Sequence, residues 1–138
     1  MNNVRMRQVL AGHESKNRIL VERIRFRGGD LNEVRDIDVH FLSSNEQDAK
    51  RLMFALQGLR MIHVNIRLNT DEFAAGRTFF AKALAWIVRS TQSSRKEWVV
   101  EGQLQTTVNK MVDTGFTTKL VVMASRYSAT YGGWATVV

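Results

Sequence analysis

The carboxylates best spaced for chemistry are Asp36 and Asp38, which lie two positions apart in the stretch VRDIDVHFL. Residues two apart in a β-strand point to the same face of the sheet. Paired carboxylates on one face can hold Mg²⁺ for phosphoryl transfer, and Glu101 could add a third from a neighbouring strand. A D-x-D pair is a low-specificity motif, because an ordinary solvated strand face has the same pattern.

Two histidines share this predicted face. His40 and His63 alternate with apolar residues in two separate predicted strands. If four strands, numbered along the chain, lie in the order 4-1-3-2, the strand that carries Glu101 runs between those of the two histidines. A His–Glu–His metal site is therefore one hypothesis. The sequence has no G-x-S-x-G, no glycine-rich phosphate loop, no H-E-x-x-H and no cysteine. We expect a protein that is not an enzyme and has no metal or other cofactor.

Three segments show the alternation of half-buried strands. These are VRDIDVHFL (34–42), RMIHVNIRL (60–68) and EWVVEGQL (97–104). In the second, His63, Asn65 and Arg67 are predicted on the polar face. Ser44 and Gln47 form a predicted capping box for a helix that ends at Gly58.

The pattern of the C-terminal third of the sequence predicts a long helix followed by a final strand. A helix capped by Thr106 or Thr107 is expected to run to Tyr127, with Gly115 as its weak point. Gly132 and Gly133 would then reverse the chain into a strand over 134–138. The elements give β-α-β-β-α-β, an α+β ferredoxin-like sandwich with an extra N-terminal helix and an insertion between strands 2 and 3.

The first 27 residues carry seven Arg or Lys residues and two Glu, a balance of +5 out of the net +7 of the whole chain. Residues 1–14 are predicted to form a basic arm, and residues 15–138 a single domain. Residues 15–27 are interpreted as a helix, although 23–27 also alternate like a strand, and Gly28-Gly29 would end that helix. Ile19 and Phe26 then form a second apolar patch on it.

Such a basic segment attracts acidic partners. Contact with nucleic acid would use Arg18, Arg23, Arg25 and Arg27, and would be sensitive to salt. The predicted polar sheet face has no aromatic platform on which bases could stack. Recognition of single-stranded RNA by the sheet face is therefore not expected.

Residues 71–90 are rich in alanine and large apolar side chains. Their pattern fits a helix, despite Gly76, and also a long buried strand. We expect this segment to cover a sheet edge or to form a homodimer contact, with Trp86 either in the core or anchoring a partner. No stretch has the ~20 apolar residues of a membrane span. The basic N-terminus has no apolar core of signal-peptide length, so a cytoplasmic location is expected.

Three motifs carry a resemblance to a known family. They are GGDLNEVRDIDVHFLSSNEQDAKRLMFALQG (28–58), EWVVEGQ (97–103) and LVVMASRYSATYGGW (120–134). Together they resemble the RraB family, the regulators of ribonuclease E activity, over most of residues 15–138 except 69–95. The resemblance implies a ferredoxin-like protein that binds ribonuclease E and inhibits it without doing chemistry.

The main interpretation is thus a non-catalytic regulator that binds a ribonuclease through protein contact. The predicted partner-binding residues are those of the polar sheet face and one tryptophan: Asp36, Asp38, His40, His63, Asn65, Arg67, Glu101 and Trp86. Two alternatives stay open. One is a nucleic-acid-associated domain that acts through its basic N-terminal helix, and the other is a metal-dependent phosphoryl-transfer enzyme that uses Asp36 and Asp38.

Overall fold

The computed structural model describes residues 3–69 and 97–137. The chain runs through four helices and four strands in these ranges: α1 (Asn3–Phe26), β1 (Arg35–Ser43), α2 (Glu46–Gly58), β2 (Ile62–Leu68), β3 (Trp98–Thr106), α3 (Val108–Met111), α4 (Thr114–Arg126) and β4 (Ala129–Thr136). The predicted insertion, with its open choice between helix and strand, its sheet-edge or dimer role and Trp86, lies outside the described residues.

The four strands form one antiparallel sheet in the order β2-β3-β1-β4. This is the predicted strand order, and the α+β ferredoxin-like architecture with an N-terminal helix is confirmed. The central strand β1 pairs with two neighbours, so that Phe41 lies opposite both Val100 and Tyr131. Residues that are opposite in a ladder share a face. The apolar face of the sheet is therefore fixed by register.

The main core lies between this face and helices α2 and α4. From β1 it takes Ile37, Val39 and Phe41, all fully buried. The helices contribute Leu52, Leu56, Leu120, Val121 and their neighbours to the same cluster. The spacing of Leu52 and Leu56 follows the helical period, so each helix buries one stripe and keeps its other side in water.

Helix α1 begins at Asn3, so the prediction of a loose arm over residues 1–14 is wrong for residues 3–14. Met6, Leu10 and His13 continue the stripe that Asn17 and Ile24 form further along the helix, and all five are at least partly buried. This packing stabilises the helix although Gly12 interrupts it. The helix ends before Gly28-Gly29, as predicted, in a Schellman motif with Gly28 at a positive φ of 76°.

Helix α2 is capped by Asn45, whose side chain accepts a hydrogen bond from the Asp48 N–H at 3.1 Å. The predicted Ser44 cap is therefore wrong by one residue. The helix ends at Gly58, as predicted. Arg60 follows at a positive φ of 67°, the conformation that glycine has after α1.

Strand β2 contains a bulge that the alternating pattern did not predict. Ile62 lies opposite Gln103 and Asn65 opposite Glu101, so one extra residue sits between them. His63 takes a positive φ of 52° there. As a result Ile62 shares the face of Gln103 instead of that of Val64 and Ile66.

The predicted long C-terminal helix is two helices. α3 ends at Met111, and Asp113 caps α4 by accepting a hydrogen bond from the Phe116 N–H at 3.0 Å. β4 begins at Ala129, so Gly132 and Gly133 lie inside the strand and not in the predicted turn. They form a bulge opposite His40 and Phe41. Ser128, at a positive φ of 51°, makes the reversal after α4.

Candidate partner-binding surfaces

One half of the predicted polar sheet face is exposed and polar. Asp36 and Asp38 are both exposed on β1, as predicted. Each has a glutamine on β3 as its neighbour: Gln105 donates to the Asp36 carboxylate at 3.1 Å, and Gln103 bonds the Asp38 carboxylate. Because both carboxylates already accept hydrogen bonds from glutamine side chains, Asp36 and Asp38 resemble a row of structural polar contacts between strands more than an open metal site.

Strands β2 and β3 extend this network. Asn65 lies opposite Glu101, and the Arg67 guanidinium forms an ion pair with the Glu101 carboxylate. Burial lowers the pKa of Arg67 from its ordinary value. Within the described ranges no group of three or more His, Asp or Glu is placed to hold a metal ion. The His–Glu–His hypothesis is therefore not supported by the described residues.

The His40 side chain is not exposed to solvent, so its predicted place on the polar sheet face is wrong. Its side chain is fully buried, and so are its face neighbours Leu42 and Val99. Complete burial, with the charges of Lys16 and His13 acting in the same direction, lowers the pKa of His40 to about 3. Opposite His40 stands Gly133, which has no side chain to keep this region polar. His40 is therefore a neutral core residue.

The two aspartates interact electrostatically, which gives a measurable prediction. Partial burial raises the pKa of Asp38, the hydrogen bond from Gln103 lowers it, and the charge of Asp36 raises it. We expect Asp36→Asn to lower the pKa of Asp38, and Gln103→Leu to raise it further, in NMR titrations of the carboxyl carbons. The substitution Asp30→Asn, in the loop after α1, serves as the control and leaves that pKa unchanged. A rise on Asp36→Asn would contradict the arrangement.

The second candidate surface is the outward side of α1. The predicted arginines Arg18, Arg23, Arg25 and Arg27 are all exposed. Ile19 is 55% exposed and Phe26 is 93% exposed, so the predicted second apolar patch is confirmed. Ile19, Arg23 and Phe26 follow helical spacing and therefore lie on one side of the helix.

The inward side of α1 is fixed to the sheet by two contacts that the sequence analysis did not identify. The Trp134 indole N–H donates to the Asn17 side-chain oxygen at 2.8 Å. The His13 ring stacks on Tyr131 with 4.8 Å between ring centroids. Asn17, Trp134 and Tyr131 are all buried, so α1 is held in place and its arginine side is presented in a defined direction.

The structure thus brings together Asp36, Asp38, Asn65, Arg67 and Glu101, removes His40 to the interior and leaves His63 exposed at the β2 bulge. It keeps the α1 arginines together on a different surface. The missed residues His13 and Asn17 had a detectable signal, since they continue the buried stripe of α1. In comparisons with known proteins, no family model and no curated protein matches this chain.

Proposed function

We propose that this protein is a non-catalytic regulator of the RraB type, which binds an endoribonuclease of the ribonuclease E type and lowers its activity by direct contact. The resemblance of residues 28–58, 97–103 and 120–134 to that family suggests the partner. The ferredoxin-like fold is consistent with it. The observation that carries the proposal is the exposed apolar patch of α1 among its arginines.

The outward side of α1 has the composition of a protein-binding surface. Large exposed apolar side chains next to each other mark interaction sites more often than isolated ones do. Phe26 and Ile19 expose most of their surface to water on a helix that is already anchored elsewhere. Aromatic and arginine side chains are the residues that most often dominate binding energy at interfaces.

The polar sheet face suits a partner less well, although the sequence alone favoured it. Its charged groups already bind one another through the Arg67–Glu101 ion pair and the Gln105–Asp36 hydrogen bond. A partner would have to replace these contacts at a cost in desolvation. We therefore assign the ribonuclease contact to α1, and the sheet face to structural support.

Charge decides which segment of the ribonuclease fits. Residues 1–27 carry a balance of +5, and Glu22 is within ion-pair distance of Arg25, at 3.9 Å on the exposed surface. A second copy of this chain would bring like charges together. A segment that combines acidic and apolar side chains matches both features. We propose that such a segment of the ribonuclease binds α1.

Phe26→Ser is expected to weaken binding to an immobilised ribonuclease E-type enzyme about tenfold or more, as loss of a buried aromatic anchor does. Arg18→Gln combined with Arg25→Gln is expected to slow association, most strongly at low salt. The control Arg51→Gln removes an exposed arginine from α2 and should leave binding unchanged. Equal affinity of all these variants would exclude α1 as the contact surface.

A nucleic-acid-associated domain is the second candidate function, and the +5 charge of residues 1–27 favours it. This function requires that affinity for single-stranded RNA falls steeply as salt rises, with a slope set by the number of phosphates contacted. It also requires that Phe26→Ser matters less than the loss of Arg18 and Arg25. RNA affinity without a salt slope would exclude it.

A further inference from the structure

A cleft of about 650 Å³ opens at one end of the helix layer, where Gln105 ends the polar sheet face, and no residue of α1 lines it. It lies where the end of α2, the last residues of β3 and the start of α4 meet. Its lining includes Leu59, Arg60, Lys110, Asp113, Phe116 and Lys119. The volume falls within the roughly 300–1,000 Å³ of small-molecule sites.

The charges of this cleft favour an anion. Arg60, Lys110 and Lys119 contribute three positive charges, and Asp113 contributes the single negative charge of the lining, so the net charge is +2. The Asp113 carboxylate is engaged in capping α4, because it accepts the Phe116 N–H at 3.0 Å. Arginine and lysine side chains around a concave surface are typical of phosphate recognition.

The cleft also has an apolar part beside its cations. Phe116, Leu59 and Leu104 are half-buried and line it. The Lys110 ammonium lies 5.0 Å from the centroid of the Phe116 ring, so the charge and the ring face the same space. A ligand with one flat apolar group and one phosphate would contact both parts.

The backbone at Arg60 is the observation that points to a function for this side chain. Just after α2, the Arg60 N–H donates to the Gln57 carbonyl at 3.0 Å, and the Met61 N–H donates to the Leu56 carbonyl at 3.2 Å. This is the Schellman motif, in which the left-handed residue is usually glycine. The same motif after α1 has Gly28 there, at a φ of 76° compared with 67° for Arg60.

A side chain in this conformation strains the backbone. The strain is unnecessary for ending the helix, since glycine does so in α1. Residues held in this conformation cluster at functional sites, and Arg60 lines the cationic cleft. We propose that this cleft binds the phosphate of a nucleoside phosphate, with Arg60 and Lys119 on the phosphate and Phe116 against the base. The ligand is either a free nucleotide or the terminal nucleotide of an RNA.

Arg60→Gly makes the test sharp, because it removes the proposed ligand contact and relieves the strain. We expect this variant to melt roughly 3 °C higher than the wild type and to bind adenosine 5′-monophosphate at least tenfold more weakly in calorimetric or NMR titrations. Lys119→Gln should weaken binding similarly. Lys50→Gln, on the exposed side of α2, is the matched control and should bind as the wild type does.

Asp113→Asn provides the opposite change. Asparagine caps helices as well as aspartate, so the fold is kept while the negative charge of the cleft is removed, and nucleotide binding should tighten. Adenosine and inorganic phosphate are each expected to bind more weakly than the monophosphate. A 5′-phosphorylated RNA oligomer that binds at least tenfold more tightly than the free nucleotide would identify an RNA end as the source.

Wild-type protein that binds no adenosine 5′-monophosphate or phosphorylated oligomer at millimolar concentration would overturn the proposal. Unchanged affinity in both Arg60→Gly and Lys119→Gln would do so as well. These outcomes are independent of ribonuclease binding, because none of the substituted residues lies on α1.

Discussion

Trp134→Ala is expected to destabilise the fold by about 3–5 kcal/mol, the usual loss when a buried tryptophan is truncated to alanine. Trp134 is 3% exposed and lies on the edge strand β4, opposite Val39 of the central strand β1. Its indole N–H is also bonded to buried Asn17 of α1. The substitution therefore opens a cavity and leaves the Asn17 oxygen without its donor. Denaturant unfolding followed by circular dichroism measures the change.

Trp134→Phe separates the two contributions. It keeps most of the apolar volume and removes the hydrogen bond, so we expect a smaller loss of about 1–3 kcal/mol. A double-mutant cycle with Asn17→Ala should give a coupling energy of about 1 kcal/mol or more. Val137→Ala, one residue beyond β4 and 90% exposed, is the control and should change little. A Trp134→Ala variant as stable as the wild type would show that β4 is not part of the core.

Acid is expected to destabilise this protein well above the pH at which carboxylates titrate. Burial lowers the pKa of His13 to about 4, with the charge of Lys16 acting in the same direction and a backbone hydrogen bond at Tyr131 opposing it. The pKa of His40 is lowered to about 3, chiefly by burial. The folded state therefore keeps both rings neutral at a pH where the unfolded chain binds two protons.

Because the folded pKa values lie below the ordinary value of about 6.5, the stabilisation is present above pH 6.5 and is lost as the pH falls toward 4. For the two histidines together we expect a loss on the order of 3 kcal/mol between pH 7 and pH 5. Measuring the free energy of unfolding across this range tests the effect. His40→Leu should flatten the profile by about half, while His63→Gln, on the exposed bulge, should leave it as it is.

Lys16→Met adds a test of the electrostatics within this cluster. The charge of Lys16 lowers the pKa of both His13 and His40, so its removal should raise both. NMR titration of the imidazole signals would measure the two values. A free energy of unfolding that stays the same between pH 7 and pH 5 would contradict the burial of the two histidines.

Much of the architecture could be predicted because local pattern and tertiary burial agree along β1 and α2. Ile37, Val39 and Phe41 alternate and are all buried, and Leu52 and Leu56 follow the helical period. The strand order could be predicted as well, because the β-α-β-β-α-β succession fixes it in this architecture. Asp36 and Asp38 are exposed for the same reason that their apolar neighbours are buried.

The errors occurred where tertiary packing overrides alternation. His40 occupies a polar position of the pattern, yet the glycine opposite it in β4 and the nearby α1 side chains place it in the interior. Gly132 and Gly133 have the composition of a turn but serve as a bulge inside a strand. Extra residues in β2 and β4 shift which side chains share a face, and a two-residue period cannot detect them.

Helix α1 shows why charge alone was misleading at the N-terminus. The basic charge of its first residues is consistent with the predicted arm over residues 1–14. Its stability comes from contacts with residues more than 100 positions away, such as Asn17 with Trp134. No described helix is both long and apolar enough to cross a membrane, although α1 has 24 residues.

The rate of RNA cleavage by a purified ribonuclease E-type enzyme, measured while this protein is titrated in, tests the proposed function most directly. The proposal predicts that the rate falls to a plateau as the protein is added. The Phe26→Ser variant should reach the same inhibition only at a concentration at least about tenfold higher. It would be contradicted by a rate that stays constant at concentrations where the two proteins are bound, or by identical inhibition from the wild type and Phe26→Ser.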